Sequence, residues 1–278
     1  MHIIDKSDII RWLPDRPKDS YKGSMGRVLC VGGNTHFGGA IILAASAAVY
    51  SGAGLTSVAS DPINLHALHA RLPEAMFIDY QDFTALEDAI HNADTVLLGP
   101  GLGRDAQAEA IFHCVLSAIT TQKLVLDADA LYFISQNRPN LPQTTVIATP
   151  HQGEWLRLTG LPLSESTVEQ RQQATADLGM WVVLKSERTE IYLDDTVYQN
   201  LGGNPAMATG GMGDVLAGML AGLLGQYSSP KETVLSGVFL HSYIADQLAL
   251  NQYVTLPSQI VTEIPRVMRE LLNAKQQF

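Results

Sequence analysis

RVLCVGGNTHFGGAIILAASAAVY, residues 27–50, holds one complete structural unit. Arg27 to Val31 is short and almost unbroken in hydrophobicity, as a strand covered on both faces requires. It stops at Gly32-Gly33, and after a polar turn the Ala-rich stretch Ala40 to Ser51 has the length and composition of a helix. The unit then recurs. LTSVAS from Leu55, AMFIDY from Ala75, TVLLGP from Thr95, KLVLDAD from Lys123, TVIATP from Thr145 and WVVLK from Trp181 are strand-like runs of the same character. Helix-length segments lie between them, such as Asp105 to Thr121, which opens on Asp and carries Ala110, Ile111, Cys114, Val115 and Ala118 at helical spacing. Such alternation predicts an α/β fold with a mostly parallel central sheet flanked by helices.

After Lys185 the pattern changes. TEIYLDD and VYQNL alternate around Asp194-Asp195 as a hairpin does. Three helical stretches follow without strands, Asp214 to Leu224, Lys231 to Leu250 and Ser258 to Leu272, and predict a helical C-terminal layer. No linker, low-complexity tract or repeat interrupts the chain, so residues 1–278 are expected to form a single domain. That length is near the upper limit of what one core organises.

Composition narrows the function. The chain is 46% hydrophobic and carries 18 Lys+Arg against 28 Asp+Glu, a net charge of −10 with no long run of one sign. This argues against nucleic-acid or membrane-surface partners and for small molecules or further copies of the chain. Cys30 and Cys114 are far apart with no CxxC, which excludes a disulfide framework and a thiolate zinc site. Asp5, Lys6 and Asp8 stand where a secretory apolar region would be, so the chain is expected to be cytoplasmic.

In an open parallel sheet, ligands sit beyond the carboxyl ends of the strands. Those ends read GGNTHFGGA (32–40), GPGLGRD (99–105), DADAL (127–131), TPHQGE (149–154) and KSERT (185–189), with NPAMATGGMGD (204–214) before a helix. The last is the strongest signal. Successive glycine N–H groups at a helix N-terminus form an anion hole suited to phosphate. Asp214 beside it is electrostatically costly unless it accepts a proton from a reacting hydroxyl or helps hold a metal, and the plain alternative is an N-cap Asp with turn glycines. Gly101 to Ala106 spells GxGxxA, with Asp127 where a ribose-binding acid would stand, which keeps a Rossmann-type dehydrogenase as a competing reading. His151 begins HxxE without a second histidine, which suits a helix-start histidine bonded to a ligand or a neighbour better than zinc. Lys185 could meet a phosphate or be a strand-end surface lysine. His66 and His69 share a helical face and are expected to be solvated. No GxxxxGK[ST] and no GxSxG occurs.

With these segments in this order, GRVLCVGGNTHFGGAIILAASAAVYSGAGLTSVA, LLGPGLGRD, LVLDADAL, ATPHQGEWLRLTG, VVLKSERTEIY and NPAMATGGMGDVLAGMLAGLLGQ, the chain resembles the ADP-dependent NAD(P)H-hydrate dehydratase family, whose fold is ribokinase-like. The resemblance implies repair of a nicotinamide cofactor hydrated at C6, NADHX or NADPHX, with ADP as co-substrate and Mg²⁺ on its phosphates. Phosphoryl transfer to the hydroxyl would make a leaving group that the ring nitrogen can expel, yielding NAD(P)H, phosphate and AMP. By the same resemblance Asp214 would be the base, and Ala40, Gly103 and His151 would contact the hydrate. Lys185, Ser186, Glu187, Arg188, Thr189 and Gly213 would hold the nucleotide, and the Gly210, Gly211 and Gly213 amides the moving phosphoryl. The family also implies a homo-oligomer, a tetramer, and a partner epimerase. Many relatives carry that epimerase as an N-terminal domain, whereas the pattern here starts by residue 23, so a separate protein is expected. Ser186 stands where the family usually has glycine. The alternatives are a sibling kinase of a vitamin precursor, which should lack the GPGLG and TPHxGE pair, and a nucleotide sensor without turnover, which would tolerate a non-acidic residue at 214.

Overall fold

The computed structural model describes residues 1–275. Its strands are β1 (His2–Ile3), β2 (Arg27–Val31), β3 (Leu55–Ser60), β4 (Met76–Asp79), β5 (Thr95–Leu98), β6 (Lys123–Leu126), β7 (Val146–Ala148), β8 (Trp181–Leu184), β9 (Glu190–Leu193) and β10 (Thr196–Gln199). The helices are α1 (Lys6–Trp12), α2 (Gly38–Tyr50), α3 (Leu65–Arg71), α4 (Phe83–His91), α5 (Ala106–Ala118), α6 (Asp129–Asn137), α7 (Gln152–Thr159), α8 (Val168–Leu178), α9 (Met212–Gln226), α10 (Pro230–Ala249) and α11 (Pro257–Lys275). Among the described residues, no helix is long and apolar enough to cross a membrane.

All ten strands join one sheet, in the order β1-β10-β9-β8-β7-β6-β5-β2-β3-β4. The seven strands from β2 to β8 run parallel, as their doubly apolar composition predicts. The hairpin forms with Leu193 opposite Thr196, and Asp194 takes a left-handed φ of 50° in the turn. Only β9 is therefore reversed, because β10 turns back to the common direction and pairs in parallel with β1.

Period 2 assigns each strand's residues to opposite faces. Leu29, Val31, Val96, Leu98, Leu124 and Leu126 enter the core on the side of α5 and α6, where Phe112, Phe133 and Trp155 are buried. Val28, Cys30, Leu97, Val125, Ile147 and Val183 enter the other, against α2 and α9. Helix α9 is apolar all round and buried from Val215 to Leu224, because α10 and α11 cover its far side. The expected helical C-terminal layer thus has α9 as an inner member and α10 and α11 as its outer cover. Helices α2 and α9 meet backbone to backbone: a Cβ on Gly218 would lie 2.0 Å from the Ala44 carbonyl oxygen, and one on Gly222 2.6 Å from that of Ala48.

Candidate active site

The carboxyl ends of five strands converge above the sheet. Gly32 and Gly33 follow β2, Gly99 to Gly103 follow β5, Asp127 to Asp129 follow β6, Thr149 to His151 follow β7, and Lys185 follows β8. β7 and β8 extend one step further, with His151 paired to Lys185 and the Lys185 amide donating to the Pro150 carbonyl at 2.8 Å. The first turn of α2 adjoins the Gly101 turn, where a Cβ would lie 3.2 Å from Ala40 Cβ, and the first turn of α9 adjoins Lys185, whose Nζ would lie 3.0 Å from a Cβ on Gly213.

At the centre is a charge cluster. The Lys185 ammonium donates to Asp127 Oδ1 at 2.9 Å, and the Thr149 hydroxyl donates to the same oxygen at 2.8 Å. Burial opposes the lysine's charge, but Asp127, then Glu154 and Asp214, outweigh it and raise its pKa above the ordinary lysine range. Glu154 is buried and accepts the His151 amide at 2.9 Å. Its pKa is raised, first by burial and then by Asp127, against the pull of Lys185. Asp214 is pushed up to about 6, first by burial, then by Asp127, with Asp129 and Glu154 adding and Lys185 opposing. A carboxyl so placed is half protonated at about pH 6 and mostly ionised at pH 7, where it can receive a proton without a large driving-force penalty.

Asp214 is not the helix cap. Gly211 is the N-cap, at φ 99°, and Asp214 stands two positions beyond Met212 in the first turn, with no cap hydrogen bond from its side chain. The N-cap alternative therefore fails. Gly211 is glycine for two reasons: its positive φ, and Leu43 Cδ1, which would stand 2.7 Å from a Cβ. Gly210 has open space where a Cβ would be. The amides of Gly210, Gly211 and Gly213 take no partner outside α9 among the described residues, so they remain available to an anion.

Two clefts open from the cluster. One, of about 620 Å³, is lined by Lys185 to Thr189, Asn200 to Pro205, Met207, Met212, Gly213 and His241, and gathers the whole predicted nucleotide set except Gly210 and Gly211. The other, about 530 Å³, is lined by Asn34, Phe37, Ala40, Gly101, Gly103, Arg104 and Asp129. It holds Ala40 and Gly103 but not His151.

His151 caps α7, its Nδ1 accepting the Gly153 amide at 3.0 Å, which leaves the ring proton on Nε2, 3.4 Å from Glu154. Its side chain is 58% exposed and free to meet a ligand as well. The Lys185 ammonium faces the carboxylates, so this residue offers the nucleotide cleft its backbone and stem. Ser186 is not in the left-handed region, and its hydroxyl accepts the Arg188 amide at 3.2 Å, so the turn that glycine makes elsewhere is accommodated by a side-chain bond. His66 and His69 lie exposed on α3. The Rossmann alternative fails geometrically, because Asp127 is buried against Lys185 and Thr149.

Sequence reasoning missed Asp129 and His241. Asp129 accepts the Gly103 amide at 2.9 Å and Arg104 Nε at 2.7 Å, and its place just past a strand end was the available signal. His241 lies buried within α10, where no local pattern distinguishes it from core; burial, then Lys185, push its pKa down to about 4, so it is neutral.

The sequence pattern of the NAD(P)H-hydrate dehydratase family matches residues 28–266. The chain belongs to that family. The ADP-dependent (S)-NAD(P)H-hydrate dehydratase of Lactiplantibacillus plantarum is 48% identical over 269 residues, covering 96% of this chain and 97% of that protein. The crystal structure of a ribokinase-like superfamily protein from Enterococcus faecalis superposes with a TM-score of 0.94 at 43% identity, covering 97% of this chain and 96% of that one. The ADP/ATP-dependent NAD(P)H-hydrate dehydratase of Bacillus subtilis, co-crystallized with ATP/Mg²⁺, gives 0.87 at 30% identity, covering 97% and 98%. The fold of this dehydratase-family chain is ribokinase-like.

Proposed function

We propose that the protein restores NAD(P)H from its C6 hydrate, NADHX or NADPHX, consuming ADP and releasing AMP and phosphate. The observation that carries this is Asp214, a carboxyl with a pKa of about 6 in the first turn of α9, beside free amides and next to both clefts. Gly213 lines one cleft, and Asp129, whose charge acts on Asp214, lines the other. Support also comes from membership in the dehydratase family and from the relatives' ADP dependence.

The nucleotide occupies the Lys185 to Thr189 cleft, with its terminal phosphoryl at the Gly210, Gly211 and Gly213 amides, where unpaired N–H groups and the helix dipole stabilise charge on the equatorial oxygens. The hydrate lies against Ala40 and Gly103, with His151 Nε2–H as a donor at its edge. Asp214 takes the C6 hydroxyl proton as the oxygen attacks the phosphoryl, and AMP departs. The ring nitrogen's lone pair then expels phosphate from C6, and loss of a C5 proton restores the reduced ring. The sum is hydrate plus ADP giving NAD(P)H, AMP and phosphate.

Mg²⁺ fits this site as a shared rather than a caged ion. Among the described residues no cluster suited to hold a metal by itself occurs, yet the carboxylates exceed the one lysine enough to raise Asp214, and Mg²⁺ commonly binds through one or two carboxylates plus phosphates and water. Asp127 and Glu154 are the residues that would hold it. Bound there, it would neutralise charge on the phosphates during transfer.

Incubation with NADHX, ADP and Mg²⁺ tests the proposal. Recovery of reduced-nicotinamide absorbance with stoichiometric AMP and phosphate is expected. A stable phosphorylated product without recovered NADH would indicate a kinase instead.

A further inference from the structure

The cleft beside Ala40 and Gly103 contains one cation, Arg104, in a protein of net charge −10. Its guanidinium is held on two sides. Nε donates to Asp129 Oδ1 at 2.7 Å, and the plane lies over the Tyr132 ring, 4.5 Å from its centroid. The nearby carboxylate is fully engaged, because Asp129 Oδ2 accepts the Gly103 amide at 2.9 Å. The terminal nitrogens of Arg104 take no partner among the described residues, and the side chain is 49% exposed. A planar fork, orientated by stacking and one ion pair with its outer edge free, matches the oxygens of a phosphate.

The carboxylates around Asp214 repel the anionic dinucleotide that this site must admit, so a fixed cation at the cleft has a clear electrostatic use. We propose that Arg104 forms a phosphate subsite for the hydrated dinucleotide, taking either its pyrophosphate or the 2′-phosphate of the NADP form. This rests on the assignment of that cleft to the hydrate. A purely structural Arg104 would instead only tie the Gly99 to Asp105 loop to α6.

Binding of NADH and NADPH to the wild-type protein and to Arg104→Gln, by calorimetry, separates these possibilities without requiring turnover. Loss of a charged hydrogen-bond pair at a half-exposed site should weaken binding about tenfold or more. Arg104→Lys, which keeps charge but loses the fork, should fall between. In turnover the rise should appear in KM for the hydrate and not in that for ADP, and its dependence on ionic strength should flatten. Equal weakening for NADH and NADPH supports the pyrophosphate, and weakening confined to NADPH supports the 2′-phosphate. Unchanged affinity for both, even with altered thermal stability, overturns the subsite. Arg104-dependent NADPH binding by a wild-type protein that repairs no hydrate would overturn the proposed function and leave the subsite standing.

Discussion

Asp214→Asn separates the cost of a strained carboxylate from its use. The folded protein raises this carboxyl from 3.8 to about 6, so at pH 8 the chain folds against the expense of ionising it. Each unit corresponds to about 1.4 kcal/mol, and with discounting for partial exposure the penalty is about 1–3 kcal/mol. The sign follows from proton counting. Between the two pKa values the native state binds more protons than the unfolded one, so stability falls as pH rises through that window. The penalty is complete above about pH 6 and absent below the unfolded value of 3.8. Asparagine is nearly isosteric and cannot ionise. Without ligand, Asp214→Asn should therefore be more stable than wild type at pH 8, by about 2 °C or more in Tm, and the advantage should shrink as pH falls from 6 to 4. Turnover should drop about 10²- to 10⁴-fold from loss of the base, and wild-type kcat/KM should fall on the acid side of about pH 6. Thermal melts across pH 4–8 beside NADHX kinetics provide both readouts. A variant less stable at pH 8, or a gain unchanged by pH, would refute the electrostatic account. Near-normal turnover would remove Asp214 from the chemistry.

Lys185→Met should cost about 3–5 kcal/mol in urea unfolding, by leaving Asp127 buried without its cation, and should move the acid limb of the pH profile upward, since Lys185 now holds Asp214 down. An unmoved limb would mean that the lysine does not act on Asp214. Gly103→Ala places a Cβ 2.5 Å from Asn34 Nδ2 at a φ of 92°; about 1–2 kcal/mol of stability should be lost, and KM for the hydrate should rise while that for ADP holds. Gly218→Ala drives a methyl into the Ala44 carbonyl, so Tm and activity should fall together, by about 1–3 kcal/mol or more in stability; an unaltered melting temperature would contradict the contact.

The seven parallel strands are legible in the sequence because each must be apolar on both faces, and a doubly covered strand leaves an unbroken run such as Leu124 to Leu126. The two-residue β1 has no period to read, and only its pairing with β10 makes it a strand. At the site, glycine turns and strand-end residues stand out because close backbone approach restricts residue type. Which carboxylate meets Lys185 is set by Asp127, 58 positions away, and depends on strand order, which local sequence does not encode. Asp214's place inside the turn, rather than at the cap, depends on Gly211 adopting a positive φ, which several glycines in succession could equally supply.

The side-chain-free seam between α2 and α9 has a mechanical consequence. Helices separated by interlocking side chains can slide as rotamers change, but carbonyl against Cα offers no such slack. Ala40 lies in the first turn of one of these helices and Asp214 in the first turn of the other, so the proposed proton acceptor and the proposed wall of the hydrate cleft share one closely packed unit. On the side of the proposed nucleotide cleft, by contrast, Glu187, Arg188 and Leu201 expose their side chains to solvent. Substitutions on that exposed side should therefore be tolerated more readily than any at Gly218 or Gly222, where a Cβ would meet a backbone carbonyl of α2.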